Sequence, residues 1–415
     1  MNSKFKILLI PDTIFWITGT ISQSILKHVS SVEGDVCSGS VVYKIMQREP
    51  EWFDQFDLIH VICPYSSRFI IPFFLGKKPI VTTIHHVIEW QRMEHNVQGD
   101  MIMTLSKEWE NYLLNKGVSK NKLMLIHNGV NTDKFSPVSQ SKKIETKKKI
   151  GFPPESFVIG FFAKRQASDF DRKGIDTFES AIRLIAAKES SIAVLLVGPG
   201  WSKLIRSFDR YGVPFKWFPY LDPHEKIIDL YSTLDCYWIT SKVEGGPVTL
   251  LEAMSCGVPC VSTPVGLSLE LIEEGVTGFL FQKGDYHELV DKTRLLIGDR
   301  TLLERTGTNA RNKVASKMDY STVLMPITDL YSKAIENFLD KESIGAKRVS
   351  VKPAIPKKYW MIREEYTQWL SILRRLGEYN RAFLFGLVAL MKYPSLAIAK
   401  LQIKILYDLC LNVLR

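Results

Sequence analysis

Residues 241–281 read SKVEGGPVTLLEAMSCGVPCVSTPVGLSLELIEEGVTGFLF. A loop carrying Glu244 passes through Gly245, Gly246 and Pro247 into a short helix. That helix presents Glu252 about two turns further on, ends at Gly257 and gives way to Pro259 and an apolar strand. Proline at a helix start and glycine just past its end are the usual boundary residues. The first-turn N–H groups, made approachable by two glycines, form an anion site. Two carboxylates flanking such a site suit a ligand with phosphate in its middle and hydroxyls at both ends. A nucleotide-sugar has that layout.

Outward from this stretch the chain alternates short apolar runs with helical segments. Strands are expected at Phe157–Ala163, Ile192–Val197, Cys236–Ile239, Cys260–Ser262 and Phe279–Phe281. An earlier series is expected at Lys4–Ile10, Phe56–Val61, Pro79–Ile84, Met101–Leu105 and Leu123–Ile126, with helices at Thr20–Val29, Ser66–Phe74 and Lys107–Asn115. Such βαβ alternation predicts α/β architecture with parallel sheets and ligands at the carboxyl ends of the strands. Helices are also expected at Thr301–Lys317 and Ser321–Leu339, the latter with Leu324, Ile327, Leu330, Tyr331 and Ile335 on one stripe.

Residues that follow strands are the candidates for chemistry. His85 and His86 follow PIVTTI, and an imidazole capping a strand end explains either one alone. Lys164, Arg165 and Lys173 follow the first strand of the second series, a placement that suits a diphosphate, although ordinary surface charges explain it too. The second strand runs into Val197-Gly198-Pro199-Gly200, which a tight turn explains equally well. PDTIFWITGT, with Trp16 and Gly19, lacks a GxGxxG. Asp169-Phe170-Asp171 has the spacing of a metal-binding DxD, and solvated acids are the better reading. The lysines of KKIETKKKI, after a polar linker at 136–141, read as a solvated helix face.

Length and composition fit two or three globular domains: 415 residues, 46% hydrophobic and 24% charged. The six cysteines show no CxxC and no zinc spacing, which implies a reduced, cytoplasmic chain. No segment approaches the ~18 apolar residues of a spanning helix. The tail from Lys341 to Arg415 holds fourteen Lys and Arg against five Asp and Glu, so +9 of the net +10 lies there. In it, Ile362, Tyr366, Trp369, Leu370 and Leu373 share a helical face, and Gly377, Ala382, Ala389 and Pro394 are spaced like one helix of a tetratricopeptide-type unit. A hairpin packed on the core, an attachment to anionic membrane, and a contact with a partner protein are all compatible with it. No nucleic-acid partner is expected.

With these residues in view, the chain resembles a retaining GT-B-fold glycosyltransferase of the glycosyl transferases group 1 family. The resemblance rests on the E-x7-E pair Glu244 and Glu252 within EGGPVTLLEAMSCGVPCVSTPVG and EEGVTGFLF. KPIVTTIHH, TLSKEW, LIHNGVNTDKF, GFFAKR with RKG, VGPG and LYSTLD support it in the family's order over residues 1 to about 340. It implies two facing Rossmann-like domains plus a C-terminal helical extension: an acceptor-side domain at 1–136, a donor-binding domain at 143–318, a helix at 319–340 crossing back to the first, and the basic tail at 341–415. It further implies that Glu252 accepts hydrogen bonds from ribose hydroxyls and Glu244 from the transferred sugar. The amides of the Gly245-Gly246-Pro247-Val248-Thr249 run, with Gly198, would meet the donor. Lys173 with Lys164 or Arg165 would neutralise the leaving diphosphate, and His85 would lie near the donor sugar. No metal and no cofactor are expected, because cations do that electrostatic work. The acceptor would be a saccharide or a lipid-linked one, in surface polysaccharide assembly at the inner face of the membrane. A GT-B epimerase or phosphorylase, or a silent partner subunit, are the other readings. Leu267 and Leu269 stand where the family usually carries Gly and Pro.

Overall fold

The computed structural model describes residues 4–14, 17–63, 70–88, 97–165, 172–202, 208–219 and 227–343. Trp16, Ser66, the Asp169–Asp171 acids and the tail beyond 343, with its helical extension, lie outside the described residues.

Among the described residues, twelve strands form two six-stranded sheets. The first contains β1 (Phe5–Ile10), β2 (Val32–Val36), β3 (Leu58–Val61), β4 (Ile80–Ile84), β5 (Met101–Thr104) and β6 (Leu123–Leu125), in the order β2-β1-β3-β4-β5-β6. The second contains β7 (Phe157–Phe162), β8 (Ile192–Val197), β9 (Phe215–Phe218), β10 (Cys236–Ile239), β11 (Cys260–Ser262) and β12 (Phe279–Leu280), in the order β12-β11-β10-β7-β8-β9. β7 runs parallel to both β8 and β10, and β10 parallel to β11. The order in which strands are added therefore reverses between β7 and β10, which is the topological switch point of a doubly wound fold.

Every residue of β3, β4, β7, β8 and β10 is buried, as expected of parallel strands covered on both faces. Phe161, Phe178, Trp201 and Trp238 centre the core of the second sheet. β2 and β9 escape the sequence reading because VEGDV and FKWF are sheet edges with mostly half-buried residues and no apolar run.

The described residues divide into two compact units, one drawn from 1–84, 89–103 and 327–343, the other from 85–88 and 104–326. Residues 104–136, grouped with the first domain in the sequence reading, are counted with the second unit here. The expected helix Ser321–Leu339 is two helices, Tyr320–Val323 and Ile327–Ser343. Pro326 separates them, since it has no N–H to continue the first and fits the start of the second. In the first unit, Tyr331 on the longer helix bonds His60 Nδ1 at 2.9 Å, and His60 Nε2 bonds Thr83 at 2.7 Å.

The lysines of KKIETKKKI are not all solvated. Within the helix Gln140–Ile150, Lys147 is 4% exposed and pairs with Asp235 at 2.6 Å, while Lys143 pairs with the other oxygen at 2.7 Å. Burial lowers the Lys147 pKa and Asp235 opposes that shift. Asp235 also accepts from the Val158 N–H at 2.8 Å, so the helix is stapled to the start of β7. A partner 88 residues away leaves no local trace in the sequence. Among the described residues no helix is long and apolar enough to cross a membrane.

Candidate functional site

The site lies in the second unit, at the carboxyl ends of β7 and β10. After β10 the chain runs through Thr240 and Ser241 to Glu244; after β7 it passes Lys164 and Arg165 and is described again from Arg172. The two segments are laced together. Lys242 N–H donates to Arg172 O at 2.8 Å, and the Thr240 hydroxyl donates to Lys173 O at 2.8 Å. Gly174 sits at φ +59, where a methyl group would lie 2.0 Å from Thr240 O, so only glycine permits this approach.

Glu244 is 8% exposed, and three donors converge on one carboxylate oxygen: Lys173 Nζ, Arg172 at 3.3 Å and the Ser241 hydroxyl at 3.0 Å. Burial alone would raise the Glu244 pKa, but Lys173 and Arg172 outweigh it and hold the carboxyl down at about 2. Beside it, burial lowers His86 to about 4 against the pull of Glu244, with Arg172, His85 and Lys173 adding to the drop. At neutral pH the cluster is thus an ionised carboxylate, two cations and a neutral imidazole.

Gly245 follows, and a methyl group there would lie 1.6 Å from His85 O. Gly246 faces the Asn128 amide and the buried Leu267 side chain. Leu269 is 48% exposed, so only Leu267 of the two departures packs under the glycine loop. Pro247 caps the helix Val248–Ser255, and Gly257, at φ +72, lies just past its end. Pro247 and Val248 are buried, whereas Gly246 and Thr249 are partly open. On that helix Glu252 is 3% exposed and accepts from the Tyr231 hydroxyl at 2.7 Å. Burial raises the Tyr231 pKa, which keeps that hydroxyl a donor.

The other expected residues are placed differently. Arg165 turns to Glu179, with Nε at 3.2 Å and Nη2 at 3.1 Å. Gly198, at φ +121, donates its N–H to Phe218 O at 2.9 Å and accepts from Trp217 at 2.7 Å. A methyl there would meet Ala163 O at 2.4 Å, so close strand-end packing accounts for this glycine. Lys164 is half-buried next to it.

The structure thus brings Lys173 to Glu244, sets the His86 imidazole within their field, and places the main-chain carbonyl of His85 against Gly245. It adds Arg172, Ser241, Trp109, Asn128 and Tyr231, to which the sequence reading assigned no role. Arg172 lies in RKG, Trp109 in TLSKEW, Asn128 in LIHNGVNTDKF and Tyr231 in LYSTLD. Each stretch was legible, but which side chain reaches Glu244 or Glu252 depends on the fold.

Residues 142–313 match the family described as glycosyl transferases group 1, and residues 35–134 match glycosyltransferase family 4. Sulfoquinovosyl transferase SQD2 of Arabidopsis thaliana is 30% identical over 221 residues, 52% of this chain and 41% of that protein. The capsular polysaccharide biosynthesis glycosyltransferase CapM of Staphylococcus aureus is 25% identical over 258 residues, 59% of this chain and 63% of that protein. The matched stretch therefore spans less than two thirds of either relative. Anabaena Alr3699/HepE, crystallised with UDP and glucose, superposes with a TM-score of 0.67 at 19% identity, covering 79% of this chain and 99% of that one. At that identity the likeness is one of fold, and the fold is GT-B. On a fold of two Rossmann-like sheets, the second half of the chain is thus similar to the glycosyl transferases group 1 family and much of the first half to glycosyltransferase family 4.

Proposed function

We propose that this chain transfers a sugar from a nucleoside-diphosphate donor to a saccharide or lipid-linked acceptor, with retained anomeric configuration and without a metal. The observation that carries the reading is the ionised, nearly buried Glu244 held by Lys173 and Arg172 at the switch point of the second sheet. A fixed carboxylate of this kind accepts hydrogen bonds from sugar hydroxyls. The adjoining cations suit a leaving diphosphate, a task a divalent metal would otherwise perform. Catalysis would rest on leaving-group stabilisation and positioning, and retention is carried over from the family resemblance alone.

The donor class is supported by HepE, whose structures hold UDP and UDP-glucose. A surface-polysaccharide setting is supported by CapM. The test is calorimetric titration with a panel of nucleoside-diphosphate sugars. Micromolar binding of one of them is expected, followed by turnover only when an acceptor is added. No binding by any member would refute the reading, and turnover without acceptor would favour an epimerase.

Glu252 would hold the ribose. Removing a charged hydrogen-bond acceptor costs about 1.5–3 kcal/mol, so Glu252→Ala is expected to lose about ten- to a hundredfold in kcat/KM for the donor. Tyr231→Phe, which leaves the carboxylate in place, should lose far less. Unchanged donor kinetics in Glu252→Ala would remove it from the site.

The charge of the 341–415 tail supports peripheral attachment to an anionic cytoplasmic membrane face. The full chain is expected to co-sediment with phosphatidylglycerol-containing vesicles and a chain ending at 341 is not. Equal co-sedimentation would contradict the attachment.

A further inference from the structure

The loop that carries Glu244 is held from outside its own sheet. Trp109, on the helix Lys107–Asn115, is 6% exposed and donates its indole N–H to the Glu244 carbonyl at 2.7 Å. Asn128, 4% exposed, donates its side-chain N–H to the Gly246 carbonyl at 2.7 Å. The carbonyls on both sides of Gly245 are therefore each fixed by one side chain.

The helix bearing Trp109 is tied down in turn. Glu270 accepts the backbone N–H of Lys107 at 2.9 Å and bonds His127 at 3.0 Å. Glu108 accepts the Gly266 N–H at 2.6 Å, and Gly266 backs onto the Gly245 carbonyl, from which a methyl group would be only 2.0 Å away. Bonds thus run in both directions between residues 107–128 and residues 244–270.

The consequence concerns aim. Gly245 and Gly246 are the residues with the most backbone freedom in the loop. Fixing the carbonyl of Glu244 fixes its ψ, and fixing that of Gly246 stops the two glycines from relaxing the constraint. The Cα–Cβ direction of Glu244, and hence its carboxylate, is then set by Trp109 and Asn128 as well as by its cations.

The geometry points to Trp109 as a positioning residue, with Asn128 as its companion, that acts through the backbone of 244–246 to aim Glu244 at the transferred sugar. This rests on the sugar-transfer reading above. A displacement of ~1 Å at a reacting group costs on the order of a hundredfold, so loss of one of the two ties should cost about tenfold.

Trp109→Phe tests it, because an aromatic ring is kept beside Tyr112 while the indole N–H is lost together with part of the buried ring, a packing loss that the melting temperature reads separately. The expected result is a kcat about tenfold lower and a melting temperature within about 5 °C of the parent. In a Glu244→Gln background the same substitution should change kcat by less than about twofold, because its effect runs through Glu244. Equal tenfold losses in both backgrounds, or an unchanged kcat, would overturn the proposal. Amide hydrogen exchange supplies a readout that needs no substrate. A peptide covering 241–250 should exchange faster in Trp109→Phe while one covering 192–197 does not. Unaltered exchange at 241–250 also overturns the proposal. If no variant transfers sugar, the sugar-transfer reading fails, and the exchange result still decides whether Trp109 holds the loop.

Discussion

Gly245→Ala is expected to lose about 3 kcal/mol of unfolding free energy and at least a hundredfold in sugar transfer. The position is tight for a specific reason. A methyl group would sit 1.6 Å from the His85 carbonyl oxygen and 2.6 Å from its carbon. Both are backbone atoms and cannot rotate away as a side-chain tip would. Gly245 is not among the residues at positive φ, so the penalty is steric and not one of backbone conformation. Its own carbonyl is pressed against Gly266, which blocks retreat on the other side. Overpacking costs typically 1–3 kcal/mol, and the upper end applies where only backbone can move. The shift would separate Glu244 from its cations or displace His85, which is where the rate is lost. Urea unfolding and steady-state kinetics on the variant check both. Parental values in both would mean that the approach of residue 85 to the glycine loop is not required.

Glu244→Ala is the second large effect. It leaves Lys173 and Arg172, whose side chains are 23% and 18% exposed, without the carboxylate they share. Removing one partner of a buried pair costs about 3–5 kcal/mol; some water reaches these cations, so the lower figure applies. Transfer should fall by roughly a hundred- to a thousandfold, the scale for losing one preorganised electrostatic contact. The pH dependence follows from the sign of the shift. The folded pKa of about 2 lies below the unfolded carboxyl value of about 4.3, so the pair stabilises fully above pH ~5. That stability is lost as the pH falls toward 2. The deficit of the variant in urea unfolding should therefore be largest at pH 7 and shrink between about pH 5 and 2. A deficit that stays constant over that range would show the loss to be one of packing and not of charge. Glu244→Gln keeps the shape and a partner for Ser241, and should separate the two contributions.

The positions of the buried parallel strands were legible because such strands need apolar runs, and β4, β7, β8 and β10 are such runs. The edge strands β2 and β9 were not, since each is paired along one edge only and most of its residues are half-buried. Pro326 should have divided the expected helix Ser321–Leu339, but the apolar stripe runs through it and masks the break. Likewise Lys147 looks solvated in a lysine-rich helix until Asp235, far away in sequence, arrives beside it.

At the site, residues 241–281 by themselves determined the glycine loop, the short helix and the two carboxylates. The reason is that turns, caps and helical spacing are local chemistry. Which charges surround Glu244 was decided by the tertiary structure alone. Arg172 joined Lys173 there, Arg165 went to Glu179, and Gly198 proved to serve strand-end packing. The need for glycine at 245 comes from the carbonyl of His85, and the hold on Glu244 from Trp109 and Asn128. Contacts between segments more than a hundred residues apart depend on strand order and register, which no local pattern encodes.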